Sequence, residues 1–284
     1  DVDAHACIID GVRLHMGKRF TYRHNDIESM EKNLQRATKL AEETGGGILF
    51  ITEGVFGMRG QQGKLKEIVE MKKRYNFRLL VDDAHGFGTL GKTGAGAGEE
   101  QGCQDGIDVY FSTFAKSMAN IGAFVAADKD IIDYLKYNLR SQMFAKALPM
   151  IQTIGSLKRL ELLRKSSELK DKLWENVNAL QGGLKARGFN IGDTNTCVTP
   201  VYLEGSIPEA MVMVNDLREN YNIFLSIVVY PVIPKGIILL RMIPTASHTI
   251  DDINETLAAF EAIREKLTNG TYKALAEANV ENVE

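Results

Sequence analysis

Cysteine is scarce in this sequence. Its three cysteines, Cys7, Cys103 and Cys197, are odd in number and share no metal-ligand spacing. That excludes a disulfide framework and a thiolate metal site, and it fits a reducing, cytoplasmic setting better than secretion. Long apolar runs are also missing, so no segment offers the ~20 apolar residues that a membrane-spanning helix needs. Neither sign of charge dominates. The 34 Lys and Arg stand against 37 Asp and Glu, a net of −3, which gives no broad electrostatic attraction for nucleic acid. An initiator methionine and a signal peptide are absent. The chain opens on Asp1-Val2-Asp3-Ala4-His5, which reads as the middle of a structured element, so a further N-terminal portion is expected. What is present is ordinary globular composition, 44% hydrophobic and 25% charged over 284 residues, enough for one large or two medium domains.

Apolar runs bounded by polar residues mark strands at Gly47 to Glu53, Arg78 to Asp82, Asp108 to Ser112 and Ala123 to Ala127. Leu65 to Tyr75 has helical spacing and ends in Lys72-Lys73-Arg74, which suits a helix C-terminus. Strands alternating with helices imply an α/β domain with a mainly parallel sheet. The texture changes near Ile151. One long amphipathic helical stretch is expected from there through Trp174 to about Arg187. Strands follow at Cys197 to Leu203, Ile223 to Tyr230 and Ile237 to Ile243, then a helix from Asp251 to Leu267, with the tail after Asn269 a helix or a frayed end. The expected organisation is a large domain over 1–157 and a smaller α+β domain over 158–284.

Gly86-Phe87-Gly88-Thr89-Leu90-Gly91-Lys92-Thr93 matches the phosphate-loop expression G-x-x-x-x-G-K-S/T. In a true phosphate loop the Lys and Thr open a helix, yet here Gly94, Gly96 and Gly98 follow at once, and glycine is a poor helix former. Two acids also precede the loop and would repel a triphosphate. A nucleotide hydrolase is therefore disfavoured, and a flexible Gly-rich surface loop is expected. A helix beginning at Lys92 would reverse this.

Two other blocks carry more chemistry. Val81-Asp82-Asp83-Ala84-His85-Gly86 and Phe111-Ser112-Thr113-Phe114-Ala115-Lys116 each close an apolar run. Ligands of open α/β sheets bind at the carboxyl ends of the strands. Lysine in an apolar setting loses hydration, its pKa falls, and its amine can form a Schiff base with an aldehyde cofactor. The competing reading is a solvated surface lysine. Asp82, first out of its run, suits a pyridinium nitrogen, as in enzymes of pyridoxal phosphate (PLP). Asp83 reads as structural. His85 is placed for the phenolic oxygen of such a ring. Ser112 and Thr113 are candidates for its phosphate, or else strand-end caps. His5, taken alone, reads as structural. Arg241, inside Ile237-Ile238-Leu239-Leu240-Arg241-Met242-Ile243, needs an anionic partner, either a buried acid or a substrate carboxylate. His248 reads as structural, and no metal site is expected.

These blocks together resemble the α-oxoamine synthases, PLP enzymes of fold type I. The resemblance rests on Asp3-Ala4-His5-Ala6, Val81 to Gly88, Gly91 to Gly98, Thr113-Phe114-Ala115-Lys116, and Arg241 followed by Ala246-Ser247-His248-Thr249. Order and spacing agree over almost the whole chain. The resemblance implies a PLP-dependent transferase in which Lys116 holds the cofactor as a Schiff base. Asp82 would meet the ring nitrogen, His85 the phenolic oxygen, and Thr113 the phosphate. His5 would stack on the ring and, with Arg241, orient the substrate carboxylate. It further implies a homodimer that condenses an amino acid with an acyl-CoA, releasing carbon dioxide and coenzyme A. Departures exist at Ala4, Cys7 and Ala115. In addition, Val55-Phe56-Gly57-Met58-Arg59-Gly60 stands where the family often has Val-Phe-Ser-Met-Asp-Gly, so a serine hydroxyl near the cofactor oxygen is missing. The family's Gly-rich phosphate-binding segment before the histidine is not among these residues. Ser112 to Ser117 and Gln142 to Pro149 are similar to bacterial serine palmitoyltransferases, which form 3-ketosphinganine, the first intermediate of sphingolipid synthesis. Val229 to Gly236 is similar to 2-amino-3-ketobutyrate CoA ligases. L-serine with a long-chain acyl-CoA is the expected pair. Those ligases and 8-amino-7-oxononanoate synthase are the alternatives, and a non-catalytic PLP-fold subunit is disfavoured because it would not need Lys116.

Overall fold

The computed structural model describes residues 1–230 and 233–281, with side chains to residue 278. Contacts divide the chain into two units, Asp1–Gly57 with Gln61–Ser167, and Met58–Gly60 with Glu168–Glu284. The expected boundary at 157/158 lies inside a helix, ten residues before this division. Pro231 and Val232, within the Val229–Gly236 stretch, lie outside the described residues.

The first unit begins with α1 (Ala6–Arg13) and α2 (Ile27–Thr44). Asp26 caps α2 by accepting from Ser29 N–H at 2.8 Å, and Gly45 ends it at φ +70°. Then come β1 (Leu49–Glu53), the hairpin β2 (Val55–Phe56) and β3 (Gln61–Gln62), α3 (Leu65–Met71), β4 (Arg78–Asp82), α4 (Ala97–Glu100), β5 (Val109–Thr113), β6 (Ala123–Ala127), α5 (Lys129–Asn138), α6 (Arg140–Phe144) and α7 (Met150–Lys165). Among the described residues one four-stranded sheet runs β1-β4-β5-β6. Its first three strands are parallel, and β6 pairs antiparallel with β5. Leu79 and Val81 of β4 alternate inward and are fully buried, as are Leu65 and Ile68 of α3. Each such side chain contributes roughly 1.5–3 kcal/mol of hydrophobic stabilisation. The parallel order brings the carboxyl ends of β1, β4 and β5 to one edge, with Glu53 beside Asp82 and Asp82 beside Phe111.

The second unit holds α8 (Glu168–Ala186), β7 (Thr199–Glu204), α9 (Ile207–Tyr221), β8 (Ser226–Val228), β9 (Ile237–Met242), α10 (Ile250–Thr268) and α11 (Thr271–Glu281). Its antiparallel sheet runs β7-β9-β8. Capping boxes start α9 at Ser206 with Glu209 and α10 at Thr249 with Asp252. Met213 and Leu217 of α9, Ile238 and Leu240 of β9, and Phe260 and Ile263 of α10 form a closed core.

Two expectations are corrected. The single helical stretch from Ile151 to Arg187 is two helices, because Ser166 turns extended at φ −148°. Adjacent serines at 166 and 167 compete for backbone hydrogen bonds and favour such breaks. The Gly-rich loop is not a surface loop. Gly86, Gly88, Gly91 and Gly96 are buried, Lys92 lies in a bend, and the next helix starts only at Ala97, so the phosphate-loop reading fails on its own criterion. No helix among the described residues is long and apolar enough to cross a membrane.

Candidate active site

At the shared strand edge of the first unit, the sequence places two acids on neighbouring strand ends. Glu53 and Asp82 are 5% and 7% exposed. Burial raises both carboxyls, Glu53 to about 7, and the Asp82 charge adds a smaller upward push on Glu53. Asp82 accepts from Ala84 N–H at 3.0 Å. Glu53 accepts from the His5 backbone N–H at the start of α1. The Lys116 ammonium acts on both carboxylates, favouring their ionised forms, and His5 acts likewise on Asp82. The structure therefore brings His5, Asp82 and Lys116 near one another and adds Glu53. No motif singled out Glu53. The available signal was its place at the end of an apolar run, like that of Asp82.

Lys116 stands on a tight loop after β5. Phe114 N–H donates to Gly122 O, Asn120 N–H to Phe114 O and Ala119 N–H to Lys116 O, at 2.8–2.9 Å. Ala119 adopts φ +43°, a left-handed conformation uncommon outside glycine, to close the turn. Asn120 Nδ2 ties the loop to α7 through Ser156 Oγ at 2.7 Å. Phe114 stacks on Phe124 at 5.5 Å and Met118 is buried, but Lys116 itself is exposed. The apolar enclosure expected for its amine is thus not there. The loop positions the lysine while leaving it accessible.

The remaining candidates separate. His5 caps α1, with Nδ1 accepting from Cys7 N–H at 3.3 Å and lying 3.0 Å from Cys7 Sγ. Burial and the nearby acids push the Cys7 thiol up, which keeps it a poor nucleophile. Half-buried His85 lies against Gly57, where a Cβ would come within 2.4 Å of its Nε2. Thr113 Oγ1 donates to Gly122 O at 3.1 Å and accepts from Ala115 N–H at 3.1 Å. Buried Ser112 turns away and donates to Asp83 O at 3.3 Å, so the structure does not bring it to the others. Asp83 is structural, as its motif position implies. It is fully buried, pushed up to about 7 by desolvation, and accepts from Ala97 N–H at 2.8 Å and Tyr110 Oη at 2.9 Å. In the second unit, Arg241 is half-buried with Nη1 3.9 Å from Met58 Sδ. His248 accepts from Thr245 N–H at 3.0 Å, a structural contact.

These residues fit PLP. A desolvated Asp82 carboxylate is stabilised by a cationic ring N–H, the accessible Lys116 amine suits an aldehyde carbon, and His85 offers a ring nitrogen on the same turn. Thr113 would have to release Gly122 O to donate to a phosphate.

The aminotransferase class I and II family matches residues 3–260. A cysteate-C-fatty acyltransferase of Capnocytophaga ochracea is 76% identical over 275 residues, covering 97% of this chain and 66% of that protein. An 8-amino-7-oxononanoate synthase of Petrotoga mobilis is 37% identical, covering 93% of this chain and 66% of that protein. A solved serine palmitoyltransferase with PLP as internal aldimine superposes with a TM-score of 0.87 at 31% identity, covering 94% of this chain and 66% of that one. The chain thus spans just under two thirds of the length of the relatives it matches. With a matching family over most of its residues and a site fitted to the same cofactor, it belongs to the aminotransferase class I and II family of fold-type I PLP enzymes, on the α-oxoamine synthase branch.

Proposed function

We propose that this chain carries the catalytic residues of a PLP-dependent C-acyltransferase. It joins the α-carbon of an amino acid to the acyl group of a fatty acyl-CoA, with release of carbon dioxide and coenzyme A. The observation that carries this reading is that Lys116, on the loop after β5, and His5, at the start of α1, both act on the Asp82 carboxylate at the end of β4. PLP, when bound, supplies an electron sink for the α-carbon as its carboxylate leaves. Asp82 keeps the ring nitrogen protonated, because a buried carboxylate favours a cationic partner. Lys116 Nζ would hold the cofactor's aldehyde carbon, and its amine would move protons at the substrate α-carbon. His5 covers the ring and excludes water from one side. His85 donates to the phenolic oxygen, Thr113 Oγ1 to the phosphate, and Arg241 grips the substrate carboxylate through its planar fork.

The amino acid in this proposal is L-cysteate, supported by the 76% identity to a protein of that named activity. L-serine, the expectation from the Gln142–Pro149 stretch, is the second reading, supported by 36% identity to a serine palmitoyltransferase of Sphingobacterium spiritivorum. The glycine- and alanine-using alternatives rank below both. A cytoplasmic homodimer completes the proposal. Exposed Tyr134, Tyr137, Phe144, Ile151, Ile154 and Leu157 on α5–α7 are the apolar surface such a partner would cover. The test is to load the full-length protein with PLP, titrate it with L-cysteate, L-serine and glycine, and add palmitoyl-CoA with mass detection of the product. A sulfonated amino-ketone is expected. Product from serine alone would replace the reading with the second one. No product from any of the three would refute the acyltransferase.

A further inference from the structure

Helix α1 follows His5 directly, yet none of its residues Ala6–Arg13 is buried, and His5 is itself exposed. Apolar packing therefore does not fix where this helix starts. We infer that Glu53 is a positioning residue: by accepting the His5 backbone N–H it fixes the start of α1, and so holds the His5 imidazole over the face of the bound cofactor. This rests on the PLP reading above, and every residue it uses belongs to the first unit.

Glu53 is a rigid anchor. It closes β1 in register with Asp82, and the next N–H, that of Gly54, donates to Asp82 O at 2.8 Å. Gly63 N–H donates to Gly54 O at 2.9 Å. A Cβ at Gly63 would lie 2.2 Å from Glu53 O, and one at Gly54 would lie 2.0 Å from Asp83 Oδ1. Glycine allows both close approaches, so the backbone that carries the Glu53 side chain is held on two sides.

The anchor reaches the imidazole in two steps. Upstream, the chain is held at Val2, whose N–H donates to Tyr22 O at 3.0 Å, and at buried Ala4. The next backbone N–H is that of His5, and it donates to Glu53 Oε1. The His5 imidazole then caps α1 by accepting from Cys7 N–H at 3.3 Å. The cap sets the ring relative to the helix, and the Glu53 bond sets the helix start relative to the strand edge where Asp82 stands.

The choice of an acid supports the same reading. Glu53 is buried, and an ionisable group held there destabilises the folded chain at neutral pH. Groups kept at such a cost cluster at functional sites. A carboxylate bonds an N–H more strongly than a neutral acceptor does, and its charge favours a helix N-terminus.

The experiment uses the full-length protein loaded with PLP. Hydroxylamine attacks the lysine-bound carbon of the cofactor from an open face, and decay of the visible absorbance reads how well that face is covered. Wild type is compared with Glu53→Gln, Glu53→Ala, His5→Asn and the double variant His5→Asn with Glu53→Ala, each confirmed folded by circular dichroism. Asparagine keeps the helix cap and removes the ring. Loss of the bond to His5 is expected to speed the decay in Glu53→Ala by roughly tenfold or more. Glu53→Gln keeps the acceptor and should stay within about threefold of wild type, which separates the bond from the charge. His5→Asn should be as fast as Glu53→Ala, and the double variant should match His5→Asn within about twofold, because Glu53 acts through the ring. A Glu53→Ala rate equal to wild type, a Glu53→Gln rate equal to Glu53→Ala, or effects that multiply in the double variant would overturn the inference while the cofactor reading stands. Absence of visible absorbance in PLP-loaded wild type would overturn both.

Discussion

Replacing Glu53 by Gln isolates the cost of burying an acid at the strand edge. Burial raises Glu53 from its ordinary 4.5 to about 7. A carboxyl raised on folding holds its proton longer in the folded state than in the unfolded one. Its contribution to stability is therefore intact below pH 4.5, falls as pH rises towards 7, and is level above that. A rise of about 2.5 units corresponds to about 3.4 kcal/mol at most, of which about 2.5 kcal/mol is lost between pH 5 and pH 8. Gln has the same shape and an oxygen that still accepts from the His5 N–H, but it cannot ionise. Urea unfolding of the PLP-free protein at intervals from pH 5 to 8 should show Glu53→Gln gaining on wild type by roughly 2–3 kcal/mol across that range. Some slope will persist in the variant, because Asp83 is raised over the same window and acts in the same direction. Glu53→Ala is the contrasting case: it removes the charge and also the acceptor, so it should stabilise less at pH 8. Equal differences between Glu53→Gln and wild type at pH 5 and pH 8, within about 0.5 kcal/mol, would refute the claim that Glu53 is desolvated.

The other predictions concern the same edge. Lys116→Ala should abolish the aldimine absorbance of the PLP-loaded protein and, by removing the cation that favours the ionised forms of Glu53 and Asp82, should lower stability more at pH 8 than at pH 5, as urea unfolding at the two pH values checks. Asp82→Asn should retain PLP binding yet lower turnover by a hundredfold or more, on the order expected for a misassigned proton at the ring nitrogen. Tyr110→Phe removes a hydrogen bond to buried Asp83 and should cost roughly 1.5–3 kcal/mol, most of it above pH 7 where Asp83 is ionised; urea unfolding at pH 6 and pH 8 separates the two conditions.

The strand ends were legible because buried parallel strands are written as uninterrupted apolar runs. Arg78–Asp82 forms such a strand with the limits that its run implies. Ala123–Ala127 also keeps the limits of its run, although it is antiparallel and has no buried residue. Glu53 was not legible as a site residue. Its importance comes from the register that sets it beside Asp82, and nothing local in either strand encodes that pairing. The direction of β6 was hidden for the same reason, since an apolar run has no polarity. The accessibility of Lys116 depends on how the loop from Phe114 to Gly122 folds back, including the left-handed turn at Ala119. Composition alone could not show that.

The adjacent acids Asp82 and Asp83 show why the phosphate-loop match arose without a phosphate. Consecutive residues leave a strand in opposite directions, so Asp82 is delivered to the site edge and Asp83 to the interior. Once inside, the Asp83 carboxylate needs donors and close backbone approach, the same needs that a bound phosphate has. The Gly-rich segment supplies both. Ala97 N–H, at the start of α4, donates to Asp83 Oδ2, and Gly96 comes so close that a Cβ would fall 1.9 Å from that oxygen. Gly96 also sits at φ +104°, a conformation open to glycine and strained for any other residue. The loop is thus an anion cradle already filled by the protein's own carboxylate, and its glycines answer to Asp83 rather than to a nucleotide. The same wrapping fixes the strand end from which Asp82 emerges, so an internal acid that touches no ligand holds in register the acid proposed to meet the cofactor.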